Sequence, residues 1–251
     1  MVLAIVRPMG LRLFAKLFSR ENKVGPDGYP VPPENLRYLI SGERNNSRDS
    51  FLAMGQHCSQ RIIDVLAQKG VDINTFHSIL DFGCGCGRTI RWFHHLSGAT
   101  LHGTDYNPKL IRWCRRNLPF ATFGINYIEP PLTYEPEQFE LVYAFSVFTH
   151  LPEALQMSWM KELSRILKPQ GFLALSTLPL RSLPPHKQTR EDLVVKRGDA
   201  AGRNVCLAYH SVAYVTQILA KDFSLAQFIE STGGQDFYLL QKCTGVKNHT
   251  R

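Results

Sequence analysis

The stretch Asp81-Phe82-Gly83-Cys84-Gly85-Cys86-Gly87-Arg88 (DFGCGCGR) decides how the rest of the chain is read. Its two cysteines, one residue apart, suggest a metal or redox site. Its three alternating glycines suggest a turn at which a ligand touches the main chain. The apolar pair Ile79-Leu80 precedes the acid, and a helical pattern begins at Arg88, so the stretch reads as a strand, a tight turn and a helix N-terminus. Glycine permits positive φ and close approach, and the amides of a helix start point outward. Such a turn sits at the carboxyl end of a first strand, the usual ligand crevice of an open α/β sheet. A dinucleotide fingerprint needs a third glycine three residues after Gly85, where Arg88 stands. A phosphate loop needs a Gly-Lys-Ser/Thr run, which is absent.

The cysteine reading has less support. Cysteines lie at 58, 84, 86, 114, 206 and 243, with no C-x-x-C pair and no short disulfide framework. His94 and His95 follow the cysteine pair at no usual zinc spacing. The expectation is reduced thiols in a cytoplasmic compartment and no metal.

Outward from the turn, short apolar runs alternate with helical patterns, the signature of βαβ units. Strands are expected at Ser78 to Phe82, Thr100 to Thr104, Phe123 to Tyr127, Glu140 to Phe145 and Gly171 to Ser176. Helices are expected at Ser50 to Gly70, Arg88 to Leu96, Pro108 to Asn117 and Pro152 to Leu167. Phe223 to Ile229 and Asp236 to Lys242, joined through Gly233-Gly234, read as a closing antiparallel hairpin. The fold class is therefore α/β: a Rossmann-like, doubly wound, seven-stranded and mostly parallel sheet. Between Leu178 and Tyr209 the periodicity fails, and so long an irregular segment inside a domain is usually functional or disordered.

Hydrophobic content of 44% and charged content of 20% are ordinary for a globular chain of 251 residues. The net charge of +8 favours acidic partners, but it is spread over short clusters such as Arg112, Arg115 and Arg116 and forms no long basic run. Residues 1–49 divide into a basic amphipathic segment, with Leu11, Phe14, Leu17 and Phe18 against Arg12, Lys16 and Arg20, and a Pro/Gly-rich arm from Asn22 to Pro33 expected to run over the surface. The first twenty residues are too short and broken to span a bilayer. A helix there can dock on the domain, lie on a membrane surface as a peripheral contact, or serve as an organelle presequence. Residues 50–243 form the folded domain and 244–251 a tail.

The acid-x-Gly-x-Gly-x-Gly turn resembles the first motif of class I S-adenosylmethionine-dependent methyltransferases, and other motifs follow in order. Asp105 closes the second strand in LHGTDYNP. The run from Phe139 to Leu151 is similar to the fourth-strand F-D-x-V motif, with Glu140 in place of aspartate. Leu163-Ser164-Arg165-Ile166-Leu167-Lys168-Pro169-Gln170-Gly171 is similar to the turn into strand five. The resemblance covers roughly residues 50 to 243. It implies S-adenosylmethionine as cofactor, bound by Asp81, Gly83, Cys84, Gly85, Gly87, Asp105, Tyr106, Asn126, Ile128, Phe145 and Ser146. Within that set Asp81 would meet the ammonium, the turn amides the amino-acid portion and ribose, and Asp105 both ribose hydroxyls, since an ionised carboxylate is a bidentate acceptor. Tyr106 would pack on adenine, with Asn126 or Ile128 at its edge. Two alternatives stay open: Asp105 as a helix N-cap, and Arg88 as a solvated helix residue.

The function the resemblance implies is in-line transfer of a methyl group to an oxygen, nitrogen or carbon of a small-molecule acceptor, with alignment supplying most of the acceleration. A base is needed only for a poor nucleophile, and His150 and His210 are the candidates. The segments 29 to 60 and 178 to 209 would cover the acceptor. Amino methylation of DNA bases is disfavoured, because Ala144-Phe145-Ser146-Val147 is not the Asn/Asp-Pro-Pro-aromatic motif of the enzymes that carry it out, while other nucleic-acid contact stays open. The competing reading is a non-catalytic cofactor-binding scaffold whose basic face recruits RNA or a membrane.

Overall fold

The structure, a computed structural model, describes residues 24–41, 46–187, 189–197 and 206–244. The basic segment 1–20 and most of the tail lie outside the described residues. Strands β1 (Ser78–Phe82), β2 (Thr100–Asp105), β3 (Ala121–Ile125), β4 (Phe139–Ala144) and β5 (Leu167–Pro179) are parallel in the order β3-β2-β1-β4-β5. Asp81 is paired with Gly103 on one side and Tyr143 on the other, so it stands mid-sheet where the strand order reverses. That switch point opens a crevice at the carboxyl ends of β1 and β4.

Helices α1 (Glu34–Ser41), α2 (Arg48–Gln68), α3 (Pro108–Asn117) and α4 (Glu153–Ile166) cover the sheet. Phe51, Ile62, Leu66, Ile111 and Cys114 pack on one face, and Trp159, Met160, Leu163 and the helical turn Tyr214–Leu219 on the other. Local chemistry sets the helix starts. The Ser47 hydroxyl accepts from the Ser50 amide at 3.0 Å, and Asn107 caps α3 with Pro108 at its first position.

The seven expected strands all form, β1 and the two strands of the closing hairpin at the expected ends and the other four with shifted ends, and two more join them. Strands β6 (Leu193–Arg197) and β7 (Cys206–His210) make an antiparallel hairpin, which β7 attaches in parallel to the end of β5 through Leu178 and Pro179. Strands β8 (Phe223–Ile229) and β9 (Asp236–Lys242) close the sheet, β9 running antiparallel to β5, for nine strands in all among the described residues. The extra pair arises because β5 extends to Pro179, past the last partner it finds on β4 at Leu175. The segment from 178 to 209 is thus partly ordered sheet.

Two other expectations need correction. The helix expected from Arg88 to Leu96 is only a 3-10 turn at Ile90–Phe93. Thr89, Ile90, Arg91 and Phe93 are buried there, Arg88, Trp92 and His94 are half-buried, and α2 presses on the segment so closely that a Cβ on Gly55 would lie 1.9 Å from the Arg88 carbonyl oxygen. The Pro/Gly arm does not simply lie over the surface either. It turns back on itself through a Val24–Pro30 bridge and inserts Asp27 against Arg91, with both side chains 0% exposed. The carboxylate takes two guanidinium bonds, of 2.7 and 2.8 Å, and the Tyr29 carbonyl takes a third. Removing one partner of such a pair strands a buried charge, at a cost of about 3–5 kcal/mol.

Candidate active site

A cavity of about 440 Å³ opens at the switch point. Its floor is the glycine turn, where Gly83, Gly85 and Gly87 all have positive φ (77°, 57° and 75°), a region that favours glycine. A Cβ on Gly83 would meet Val147 at 2.4 Å, one on Gly85 would meet Ile40 at 2.8 Å, and one on Gly87 would meet Leu118 at 2.4 Å. Gly83 and Gly85 line the cavity, whereas Gly87 lies outside its wall and lets the turn pack on the loop after α3.

The turn amides do not wait for a ligand. Those of Gly83 and Cys84 both donate to the Thr104 carbonyl at 2.8 Å, that of Gly85 to Asp105 Oδ2 at 2.9 Å, and that of Gly87 to the Cys84 carbonyl at 2.9 Å. These four amides hold β1 to β2 and aim Asp105. Its other oxygen accepts from the Asn107 amide at 2.8 Å. Burial raises the Asp105 pKa and the two amides oppose the rise. Each carboxylate oxygen accepts one protein hydrogen bond and keeps a second acceptor site. Asn107, not Asp105, caps α3.

Asp81 also lines the cavity, 4% exposed, and its Oδ2 is buried without a hydrogen-bond partner. Burial pushes its pKa up to about 8, opposed first by the Tyr143 hydroxyl and then by the Arg88 charge and the Ile90 amide. An orphaned carboxylate oxygen of this kind fits a cationic ligand group. Arg88, whose role the sequence leaves open, lines the cavity as well.

Past β3, Asn126 Nδ2 donates to the Tyr127 carbonyl at 2.7 Å, which leaves its buried Oδ1 as an unpartnered acceptor. Tyr106, Tyr127 and Ile128 are 48%, 83% and 64% exposed beside it, an open apolar rim. Trp159 Nε1 donates to the Ile128 carbonyl at 2.9 Å and fixes that loop from α4. Tyr127 and Trp159 escaped sequence reasoning: the tyrosine sits between two named residues, and the tryptophan is distant in the chain.

On the opposite wall Phe145 and Ser146 follow β4. Ser146 has φ of 58°, and its amide donates to Ser176 Oγ at 2.9 Å. Gln235, from the loop before β9, joins the Ser146 and Ser176 hydroxyls in one network. His150 Nδ1 lies 2.9 Å from the Cys206 carbonyl oxygen, which can only accept, so Nδ1 carries the proton and Nε2 keeps a lone pair. Burial lowers the His150 pKa, opposed by that bond. His210 does not share the site. It ends β7 instead of opening a helix, is 1% exposed, and its Nε2 meets Gln156 on α4 at 2.9 Å; burial takes its pKa down to about 4. It packs the hairpin on α4.

Cys84 lines the cavity and Cys86 is in the core beside it, and burial raises both thiols well above their ordinary value. Both remain protonated thiols at neutral pH. Of the covering segments, α1 contributes Leu39 and Ile40, and β7 contributes Cys206.

Residues 79–171 match the family model of the methyltransferase domain. The chain is 26% identical over 177 residues to the methyltransferase GfsG of Streptomyces halstedii, a match covering 65% of this chain and 60% of that protein. It is 29% identical over 113 residues to the uncharacterized methyltransferase sll0829 of Synechocystis, covering 45% and 52%. It thus spans between half and three-fifths of the length of these curated relatives. The crystal structure of a Burkholderia thailandensis 1,6-didemethyltoxoflavin-N1-methyltransferase, with bound 1,6-didemethyltoxoflavin and S-adenosylhomocysteine, superposes with a TM-score of 0.59 at 12% identity. That match covers 97% of this chain and 93% of the other, and it speaks for the fold.

Proposed function

We propose that the chain is a class I S-adenosylmethionine-dependent methyltransferase that transfers the cofactor's methyl group directly to a small-molecule acceptor. The observation that carries this reading is the pair of carboxylates flanking the glycine turn. Asp105 is oriented by two amides with acceptor capacity to spare, and Asp81 has a buried oxygen without a partner. A diol and an ammonium are the groups these two carboxylates fit. Asn126 Oδ1 is an acceptor of the kind an adenine amino group needs, and Tyr106, Tyr127 and Ile128 offer apolar cover for a ring.

When bound, the cofactor supplies an electrophilic methyl on a sulfonium that leaves as a thioether. The chain's own residues do the rest. Asp105, Asp81 and Asn126 fix one reactant, and apolar Ile40, Val147, Leu151 and Leu155 exclude water and hold the other. His150, neutral and with Nε2 unprotonated, accepts a proton from an acceptor whose nucleophile needs deprotonation. The Burkholderia neighbour methylates a ring nitrogen by its name, and an apolar pocket beside an imidazole suits a flat heteroaromatic of that class.

The test is calorimetric titration with S-adenosylhomocysteine, followed by incubation with labelled S-adenosylmethionine and an extract of small molecules. Micromolar binding is expected, weakened about 100-fold or more in Asp105→Ala, together with label in a low-mass product. No binding to the wild type would sink the proposal. Binding without transfer to any acceptor would favour a cofactor-binding scaffold.

A further inference from the structure

Arg88 is the only Lys or Arg among the described residues lining the cavity. Its Nη1 donates to Ser41 Oγ on α1 at 3.2 Å, and among the described residues it makes no ion pair. A guanidinium has five N–H donors in a planar fork, so one hydroxyl leaves most of that fork available. Asp81 lies on the same turn, close enough that the Arg88 charge acts on its ionisation, yet the two do not pair. A guanidinium and a carboxyl group that line one cavity without pairing are complementary to a ligand bearing a carboxylate and an ammonium, whose arrival ionises the carboxyl.

Resting on the cofactor reading above, we infer that Arg88 binds the carboxylate of the cofactor's amino-acid end, opposite Asp81 at its ammonium, with Ser41 orienting the guanidinium. The turn thereby reads a zwitterion and selects nucleosides that keep the whole amino acid. A carboxylate is the group a planar fork takes bidentately, which a lysine cannot reproduce. The His150 wall carries Phe145, Ser146, Val147, Leu151 and Cys206 and no cation. The positive charge thus belongs to the floor beside Asp81, away from the acceptor wall.

The experiment compares two ligands on the full chain by calorimetry: S-adenosylhomocysteine, and 5′-methylthioadenosine, which has the adenine, ribose and thioether but no amino-acid end. Arg88→Gln should weaken S-adenosylhomocysteine about 10- to 100-fold and leave methylthioadenosine within about twofold. Arg88→Lys should fall between wild type and Arg88→Gln for the first ligand only. Retained methylthioadenosine binding also reports that each variant is folded. Unchanged S-adenosylhomocysteine affinity in Arg88→Gln, or equal weakening of both ligands, overturns the Arg88 assignment while the cofactor reading stands. Failure of the wild type to bind either nucleoside overturns both.

Discussion

The two walls of the cavity are made in different ways. The glycine-turn wall is closed by contacts between neighbouring units, with Gly85 reaching Asp105 across 20 residues of sequence and the Gly83, Cys84 and Gly87 amides bound to main chain. The acceptor wall is assembled from afar: His150 meets the Cys206 carbonyl across 56 residues and Ser146 meets Gln235 across 89. The first wall has its geometry written into backbone φ and amide bonds, so few residue types satisfy it. The second is set by side chains from α1, the loop after β4 and the β6–β7 hairpin, and can be remodelled by substitution without disturbing the sheet. A pocket built this way keeps one ligand constant and leaves the other open to change.

The strongest way to break the comparison is at Gly85. A valine there must adopt a φ of 57° and place its Cβ 2.8 Å from Ile40. β-branched residues strongly resist that region. Gly85→Val should abolish S-adenosylhomocysteine binding in a calorimetric titration, because shifting Gly85 also releases Asp105. Binding within tenfold of wild type would show that the turn is not the rigid wall.

At the acceptor wall the effect should fall on turnover and spare cofactor affinity. With an acceptor that must lose a proton, His150→Gln should lower kcat by about 10²–10⁴ and leave S-adenosylhomocysteine affinity nearly unchanged. Burial lowers the His150 pKa, so the basic form persists below the ordinary imidazole value of 6.5. Wild-type activity should hold through neutral pH and fall only on acidification past that lowered pKa. The limb should vanish in the variant. An identical acid limb in His150→Gln would remove the residue from the chemistry.

A smaller effect sharpens the floor itself. Burial raises the Asp81 pKa from its ordinary 3.8 to about 8. At pH 7 the carboxyl is mostly protonated, and a bound ammonium lowers its pKa, so binding releases up to one proton per site. Affinity should therefore rise with pH through 7 to 8. Calorimetry in buffers of different ionisation enthalpy reads that proton directly, and Asp81→Asn should abolish the release. Zero release in the wild type between pH 6 and 8 would mean that Asp81 is already ionised.

The same contrast explains what the sequence made legible. β1, α3, β8 and β9 begin and end where periodicity and turn residues place them, because their signals are local. Most of the residues assigned to the cofactor line the cavity for the same reason. The β6–β7 hairpin stayed invisible: Leu193–Arg197 and Cys206–His210 are five-residue strands amid charge, and their pairing with Leu178 and Pro179 is fixed only in three dimensions. His210 was misplaced by that gap. Gln235 and Asp27 gave no signal, since a polar residue in a loop looks alike whether it faces solvent or a buried partner across the chain.

The smallest expected effect concerns the cysteines of the opening stretch. Cys84 and Cys86 are 5% and 0% exposed, and burial holds both as thiols. Cys84 Sγ points to the Gly85 carbonyl at 3.6 Å, and the Cys114 thiol, beside both cysteines, donates to the same carbonyl at 3.5 Å. Among the described residues no group of three or more His, Cys, Asp or Glu side chains stands ready to hold a metal ion. Sulfur here fills volume between the turn and β2, where a Cβ on Gly103 would lie 3.0 Å from Cys84 Sγ. Replacing both cysteines by alanine should cost roughly 1–2 kcal/mol of stability each, from lost contacts and a small void. S-adenosylhomocysteine affinity should stay within a few-fold, since the alanines leave the three glycine φ angles and the Gly85–Asp105 bond in place. Loss of binding, with zinc copurifying in the wild type alone, would return the stretch to a metal site and dissolve the division between the two walls.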